Sequence, residues 1–381
     1  MFILLSLITL FWLFVAIDTF KGLSQLQDLS NESPTVSAGM VSFIIAARNE
    51  EHTIEKSIRS QLEQTYQPVE WILVNDRSTD GTGKIMEKLA RHDSRIHVVH
   101  IKKLPEGWLG KNHALHTGAR KSAGNLLVFT DADVRYEPDL LAKAVAFFSR
   151  NALHHLTISP NLVAKTFVLQ GFISFFLFGF SYFKRPWSAN QDHKKTGMGI
   201  GAFNMLSRKA YQEIDGHQKI RMRPDDDLQL GMLVKKHGLK QRLVTGLSLL
   251  HVEWYPSLKE AIRGLEKNTF AGLHYSYLLA AAAVTGVFVS QFLPFITLFH
   301  SALPVRMMSI LTILLLAAIS LAIIKKLTLF SPWTVALFPL SVLLFIYAIS
   351  RAVFLTMIRG GIKWRGTTYP LKEIKKQLKK S

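Results

Sequence analysis

Apolar runs long enough to cross a membrane bracket a charged middle region, and this limits the chain to a polar domain carried on hydrophobic helices. Met1 to Ile17 is nearly all apolar, with Phe and Trp interspersed. Tyr275 to Leu298, Met307 to Ile324 and Trp333 to Ala352 follow the charged region, each near the ~20 apolar residues that a crossing needs. Three such runs in succession argue against buried helices of a soluble protein. Composition agrees: 49% apolar residues is high for a soluble enzyme, while 19% charged residues is too many for a bundle of spans alone. The charges concentrate from about Arg48 to Lys267.

The first basic residue, Lys21, follows the first apolar run, and no small-residue cleavage site is present. An uncleaved anchor with its N-terminus outside is therefore expected over residues 1–20. The formal net charge of +19 is compatible with nucleic acid, acidic substrates or an anionic membrane face. Lys325-Lys326, Arg351, Arg359 and the tail Lys372, Lys375, Lys376, Lys379 and Lys380 lie beside apolar spans. That placement favours the cytoplasmic leaflet, where each contributes roughly 1 kcal/mol. No nucleic-acid module accompanies the charge, so nucleic acid is not an expected partner. The absence of cysteine excludes disulfides, Cys-zinc sites and thiol nucleophiles.

Three later spans would place the Lys-rich tail opposite a cytoplasmic polar domain, against the positive-inside rule. A re-entrant segment, or a double crossing by Phe270 to Leu303, resolves the conflict; the charge rule is the stronger guide. Phe167 to Phe183, bounded by Lys165 and Lys184-Arg185, falls inside the polar region. It reads as an in-plane interfacial helix, with a buried core helix as the alternative.

The charged region reads as α/β. Val41 to Ala47 (VSFIIAA) and Trp71 to Val74 (WILV) are continuous apolar runs, the pattern of strands buried on both faces. Ile96 to Ile101 and Leu126 to Thr130 (LLVFT) supply two more strands. Between them, Ile54, Ile58 and Leu62 recur at helical spacing, as do Ile85 and Leu89. Such alternation implies a mostly parallel sheet with right-handed crossovers, whose ligands sit beyond the C-terminal strand ends. The residues there are Arg48-Asn49-Glu50, Asn75-Asp76 and Asp131-Ala132-Asp133. Neither GxGxxG nor GxxxxGK[ST] follows these strands. An acidic crevice that holds a polyphosphate needs a bridging cation, and Mg²⁺ or Mn²⁺ takes carboxylate and phosphate oxygens together.

If extended geometry persists past LLVFT, Asp131 and Asp133 point to the same side. Asp76 is placed to accept from an imide N–H or a ribose hydroxyl; alternatively it forms an Asx-turn at the Ser78-Thr79-Asp80-Gly81 corner. Lys111 offers positive charge to phosphate. In Arg223-Pro224-Asp225-Asp226-Asp227-Leu228, Pro224 can start a helix whose dipole the acids complement. Three adjacent carboxylates also repel, which raises one pKa toward the range of a general base.

The series AARNEE, VNDRSTDGT, GKNHAL, FTDADV and DDDLQLGMLVKKHG resembles the family 2 glycosyltransferases with a GT-A fold, over roughly Val41 to Gly238. The resemblance implies a Rossmann-like, mostly parallel sheet and a nucleotide-sugar donor, commonly a UDP-sugar, with Mg²⁺ or Mn²⁺. It implies that Ala46, Arg48, Glu50 and Asp76 line the nucleoside pocket and that Lys111 lies near the nucleotide. Asp131, with Ala132 between, and Asp133 would hold ribose and the metal-diphosphate. The family's ED-type motif aligns on Asp226 and Asp227, with Leu230 and Gly238 matching, which makes Asp227 the expected base; Asp replaces the usual Glu at 226. No QxxRW motif of the processive synthases is present. The GLEKN stretch at 264–268 and the Trp364-Arg365-Gly366 tail look more like bacterial carotenoid, hopanoid and ceramide-type glucosyltransferases.

The expected organisation is an anchor over 1–20 and a GT-A domain over 38–270 with its interfacial helix near 167–183. About three transmembrane helices over 271–356 and a basic cytoplasmic tail over 357–381 complete it. The expected reaction is inverting, metal-dependent transfer from a nucleotide-sugar to a lipid hydroxyl, at the cell membrane with the catalytic domain in the cytoplasm. Alternatives are a processive polysaccharide synthase, a polyprenyl-phosphate glycosyltransferase, or an inactive membrane scaffold. No obligate protein partner is evident.

Overall fold

The structure, a computed structural model, describes the chain except residues 36–38, 274, 365–366 and 371–381, and gives backbone alone for 266–272, 361–364 and 367–370. The lysines of the basic tail and Arg365-Gly366 thus lie outside the described residues, as do the side chains of Glu266, Lys267 and Asn268 in the GLEKN stretch. The chain divides into two compact units. One comprises Ser24–Val163 and Pro186–Glu253; the other comprises Met1–Leu23, Ala164–Arg185 and Trp254–Ser381.

The first unit is built on an eight-stranded sheet. Its strands are β1 (Val41–Ala47), β2 (Val69–Asp76), β3 (Ile96–Ile101), β4 (Leu126–Asp131), β5 (Arg135–Tyr136), β6 (His155–Leu162), β7 (Asn204–Ser207) and β8 (Gln241–Val252). The spatial order is β3-β2-β1-β4-β7-β6-β8-β5. β3, β2, β1 and β4 pair in parallel, β7 runs antiparallel to both β4 and β6, and β6 and β8 are parallel. The four expected strands thus form the parallel half; β1, β2 and β4 are buried along most of their length, as strands covered on both faces are, whereas β3, at the sheet edge, exposes His97 and His100. In the core, Phe43 stacks on Trp71 with ring centroids 5.5 Å apart.

The second unit gathers the apolar helices. Among the described residues, five are long and apolar enough to cross a membrane: Phe2–Ser24, Phe167–Lys184, Tyr277–Thr297, Leu303–Leu327 and Pro332–Arg359. Small hydroxyls join these helices, as in the Thr9–Thr312 contact at 2.7 Å, and the Trp12 indole donates to the Ser290 carbonyl at 2.9 Å. Such polar contacts add to the packing between apolar helices. Gly264 lies against Tyr255, whose ring a side chain there would meet, and Leu265 is buried.

Candidate active site

Parallel pairing brings the C-terminal ends of β1, β2 and β4 to one edge of the sheet. Ala46 is level with Val74 on β2 and with Asp131 on β4. Arg48 follows β1, half-buried. Glu50 donates its amide to Thr82 Oγ1 at 2.8 Å and accepts from Thr53 Oγ1 at 3.1 Å.

Asp76 ends β2, and both its oxygens are bridged by Arg77, at 2.7 and 3.0 Å. The neighbouring corner does not use Asp76. Asn75 Oδ1 accepts the Ser78 amide at 3.1 Å, and Asp80 Oδ1 accepts the Thr82 amide at 3.0 Å. The Asx-turn considered for Asp76 therefore belongs to Asn75. Gly110 opens the helix Gly110–Lys121 so close to this pair that any side chain would collide with the Asp76 carboxylate.

β4 stops at Asp131, and Ala132 and Asp133 lie in a turn. The extended geometry on which a shared side for Asp131 and Asp133 depended thus does not continue past Asp131. Ala132 is buried and Asp133 opens to solvent. Enough protein crowds the Asp133 carboxyl that desolvation, followed by the negative charges of Asp131 and Glu50, pushes it up to about 6. Lys111 Nζ sits 2.8 Å from Asp131 Oδ1 and 3.3 Å from Asp226 Oδ1. The attraction of these carboxylates and Asp227 outweighs desolvation, and the ammonium is held well above its ordinary range.

The helix Asp226–Lys236 begins at the acids rather than at Pro224. Its three leading carboxylates have separate fates. Asp225 is taken by Arg223 at 3.0 Å and Gln229 at 2.7 Å; despite burial, these bonds hold it below the usual carboxylate range. Asp226 is buried against Lys111, and desolvation pushes it up to about 7. Asp227 is half-buried, its Oδ2 accepting the Gly201 amide at 2.8 Å and its Oδ1 the Leu228 amide at 2.8 Å. Burial and Asp131 raise its pKa, whereas Lys111 and the two amides oppose the rise.

Gly201 is a site residue that sequence reasoning missed. Its carbonyl accepts the Asp131 amide at 2.9 Å, so one residue ties the end of β4 to Asp227. A side chain there would collide with the Asp131 carboxylate. Gly199 meets the Asp227 backbone and Gly197 that of Gly231 in the same close manner. The available signal was the alternation Gly197-Met198-Gly199-Ile200-Gly201, which lets an extended segment lie against the helix. The cavity holding these groups is also walled by Phe129, Asn204, His217 and Leu230. His217 is buried and bonded to Tyr211 Oη at 2.9 Å; burial first, then Lys111, pushes its pKa down to about 3.

Asp131 and Asp133 offer oxygen donors alone, and no group of three or more His, Cys, Asp and Glu able to hold a metal occurs among the described residues. This set fits a hard divalent cation that takes its remaining ligands from a diphosphate and water, as Mg²⁺ and Mn²⁺ do. It does not fit a zinc site, which needs a closed N/S shell or three protein ligands.

Residues 42–215 match the family described as Glycosyl transferase family 2. A Bacillus subtilis glycosyltransferase named for teichuronic acid biosynthesis is 33% identical over 126 residues, 33% of this chain and 48% of the relative. A 4,4'-diaponeurosporenoate glycosyltransferase of Staphylococcus haemolyticus is 24% identical over 249 residues, 64% of each chain. The chain thus spans less than two thirds of these relatives' lengths. Among solved structures, a mannosyltransferase from Pyrobaculum calidifontis in complex with GDP-Man and Mn²⁺ superposes with a TM-score of 0.56 at 17% identity. The match covers 93% of this chain and 98% of that one. At that identity the likeness is one of fold, and it is the GT-A fold.

Proposed function

We propose that this chain, which belongs to glycosyl transferase family 2 through residues 42–215, transfers one sugar from a nucleotide-sugar to a lipid hydroxyl with inversion. The observation that carries this reading is the convergence of Asp131, Lys111, Asp226 and Asp227 on one cavity beyond the strand ends. Asp131 and Asp133 would hold the cation, which when bound neutralises charge on the departing diphosphate. The Mn²⁺ of the mannosyltransferase supports a divalent ion here.

Asp227 is the base. Of the two carboxylates in the first helical turn, Asp226 is buried and paired with Lys111, whereas Asp227 remains half-accessible to an incoming hydroxyl. Its two amide hydrogen bonds hold the carboxylate in one orientation. As the acceptor oxygen bonds to the anomeric carbon and the bond to diphosphate breaks, the hydroxyl proton passes to Asp227. Attack from the face opposite the leaving group gives inversion. Ala46, Arg48, Glu50 and Asp76 flank the nucleoside, and Arg77 must release Asp76 before a base or ribose can reach it.

The lipid acceptor is supported by the five apolar helices and by the relative named for 4,4'-diaponeurosporenoate. β4 and β6 precede the helix Phe167–Lys184, and their sheet partners β7 and β8 follow it. A single crossing, about 27 Å long for 18 residues, would leave paired strands on opposite sides of a bilayer. This connectivity supports a helix that lies in the interface or re-enters from one side. A processive synthase is the second reading, favoured by a poly-beta-1,6-N-acetyl-D-glucosamine synthase of Staphylococcus epidermidis, 27% identical over 131 residues.

The test is to incubate purified protein with several nucleotide-sugars and host lipid extract, with and without EDTA, and to follow products by mass spectrometry. One new EDTA-sensitive monoglycosylated lipid is expected. A ladder of products would establish the synthase instead, and no nucleotide-sugar turnover at all would leave only a scaffold.

A further inference from the structure

Lys111 occupies an unusual position for a residue that serves only to meet phosphate. Its ammonium is inserted between Asp131 and Asp226, at 2.8 and 3.3 Å, although part of its side chain is accessible to solvent. The helix carrying it cannot shift readily. Asn112, next in sequence and buried, donates to the Ile220 and Arg223 carbonyls at 2.7 and 2.9 Å, and the Leu109 amide donates to the Arg221 carbonyl at 2.9 Å. Those bonds anchor the helix start to the segment that leads into Asp225–Asp227. Any relocation of the charge falls to the flexible four-carbon stem.

We propose that Lys111 is a built-in stand-in for the divalent cation, occupying Asp131 until a donor diphosphate draws the ammonium away. Three physical points support this. Without any cation, Asp131, Asp226 and Asp227 would be left mutually repelling around one cavity. An ammonium 2.8 Å from Asp131 Oδ1 and a divalent ion on the same oxygen would be like charges in near contact, so the two exclude each other. A diphosphate offers the displaced ammonium new oxygens and adds ligands for the cation. Cation and nucleotide therefore bind cooperatively, and each raises the affinity for the other by the same factor. The inference rests on the reading that Asp131 and Asp133 hold the cation.

The experiment measures Mn²⁺ binding to the full chain in detergent by the electron paramagnetic resonance of free Mn²⁺, first without nucleotide. Lys111→Gln should bind Mn²⁺ alone at least 10-fold more tightly than the unmodified protein, whereas Lys111→Arg, which keeps the charge, should not. Uridine diphosphate should tighten Mn²⁺ binding to the unmodified protein. Lys111→Gln binding Mn²⁺ no more tightly, while Asp131→Asn and Asp133→Asn weaken it, would overturn the stand-in role and leave the cation site intact. Unchanged Mn²⁺ binding in both aspartate variants would instead remove the cation reading itself. A second measurement needs no variant. Acetylation of Lys111, followed by mass spectrometry, should accelerate when Mn²⁺ alone is raised to saturation, and an unchanged rate would reject the displacement.

Discussion

Gly201 donates its amide proton to Asp227 Oδ2 at 2.8 Å while its carbonyl accepts the Asp131 amide at 2.9 Å. The expected base and the first aspartate of the Asp131-Ala132-Asp133 motif are thereby held by one peptide unit on either side of a residue without a side chain. Gly201→Ala puts a methyl group into the Asp131 carboxylate. Turnover should fall on the order of 10²-fold, the usual effect of displacing a reacting group by about 1 Å. Circular dichroism and the melting temperature should change little, because the neighbour that must give way is a side chain.

Asp227→Asn removes the proton acceptor and nearly preserves shape. The expected outcome is a loss of kcat of about 10²–10⁴-fold with the donor KM little changed. Steady-state kinetics with the identified donor and acceptor check this; near-normal turnover would transfer the role to Asp226.

Chelation and Asp133→Ala should act on the same step. EDTA should abolish transfer and added Mn²⁺ or Mg²⁺ should restore it. The alanine variant should need at least 10-fold more metal for half-maximal activity, as removal of one of few ligands implies. Calorimetric titration of nucleotide diphosphate with and without metal separates this from a folding defect.

Two buried histidines each make a contribution to the sheet unit's stability that acid removes. Burial pushes His155 down to about 4 and His217 down to about 3, against an ordinary 6.5. Between pH 6.5 and the folded values, the unfolded chain binds more protons, so stability rises with pH in that window and is lost as pH falls through it. His155 alone accounts for about 3 kcal/mol across its window. The raised carboxyls of Asp226 and Asp133 act in the opposite sense over the same range, so the histidine effect is read as a difference. From pH 7.5 to 4 the melting temperature of His155→Gln should gain on that of the unmodified protein.

Much of the sheet could be read in advance. Val41–Ala47 and Ile96–Ile101 form with the boundaries expected, and WILV and LLVFT lengthen only to Val69–Asp76 and Leu126–Asp131. In β1, β2 and β4 an unbroken, largely apolar run suits no other state as well as a strand covered on both faces, whereas β3 is an edge strand that exposes His97 and His100. β5, β6, β7 and β8 were not foreseen. β7 has four residues and β5 two, too short to show a period, and β6 contains Pro160 at an irregularity in its register.

The sequence by itself determined which acids stand at strand ends and which chemistry they offer, because strand ends follow from local hydrophobic runs and parallel pairing puts them on one edge. Only the tertiary structure decided how those acids divide the work. Asp225 turns to Arg223, Asp226 to Lys111 and Asp227 to Gly201, although the three are adjacent and chemically identical. Their separation depends on Asn112 clamping the Ile220–Arg223 segment and on Gly201 reaching across from another part of the chain. Contacts between distant segments are selected by the closure of the whole core; a local pattern such as the glycine alternation at 197–201 permits a close approach but does not name the partner.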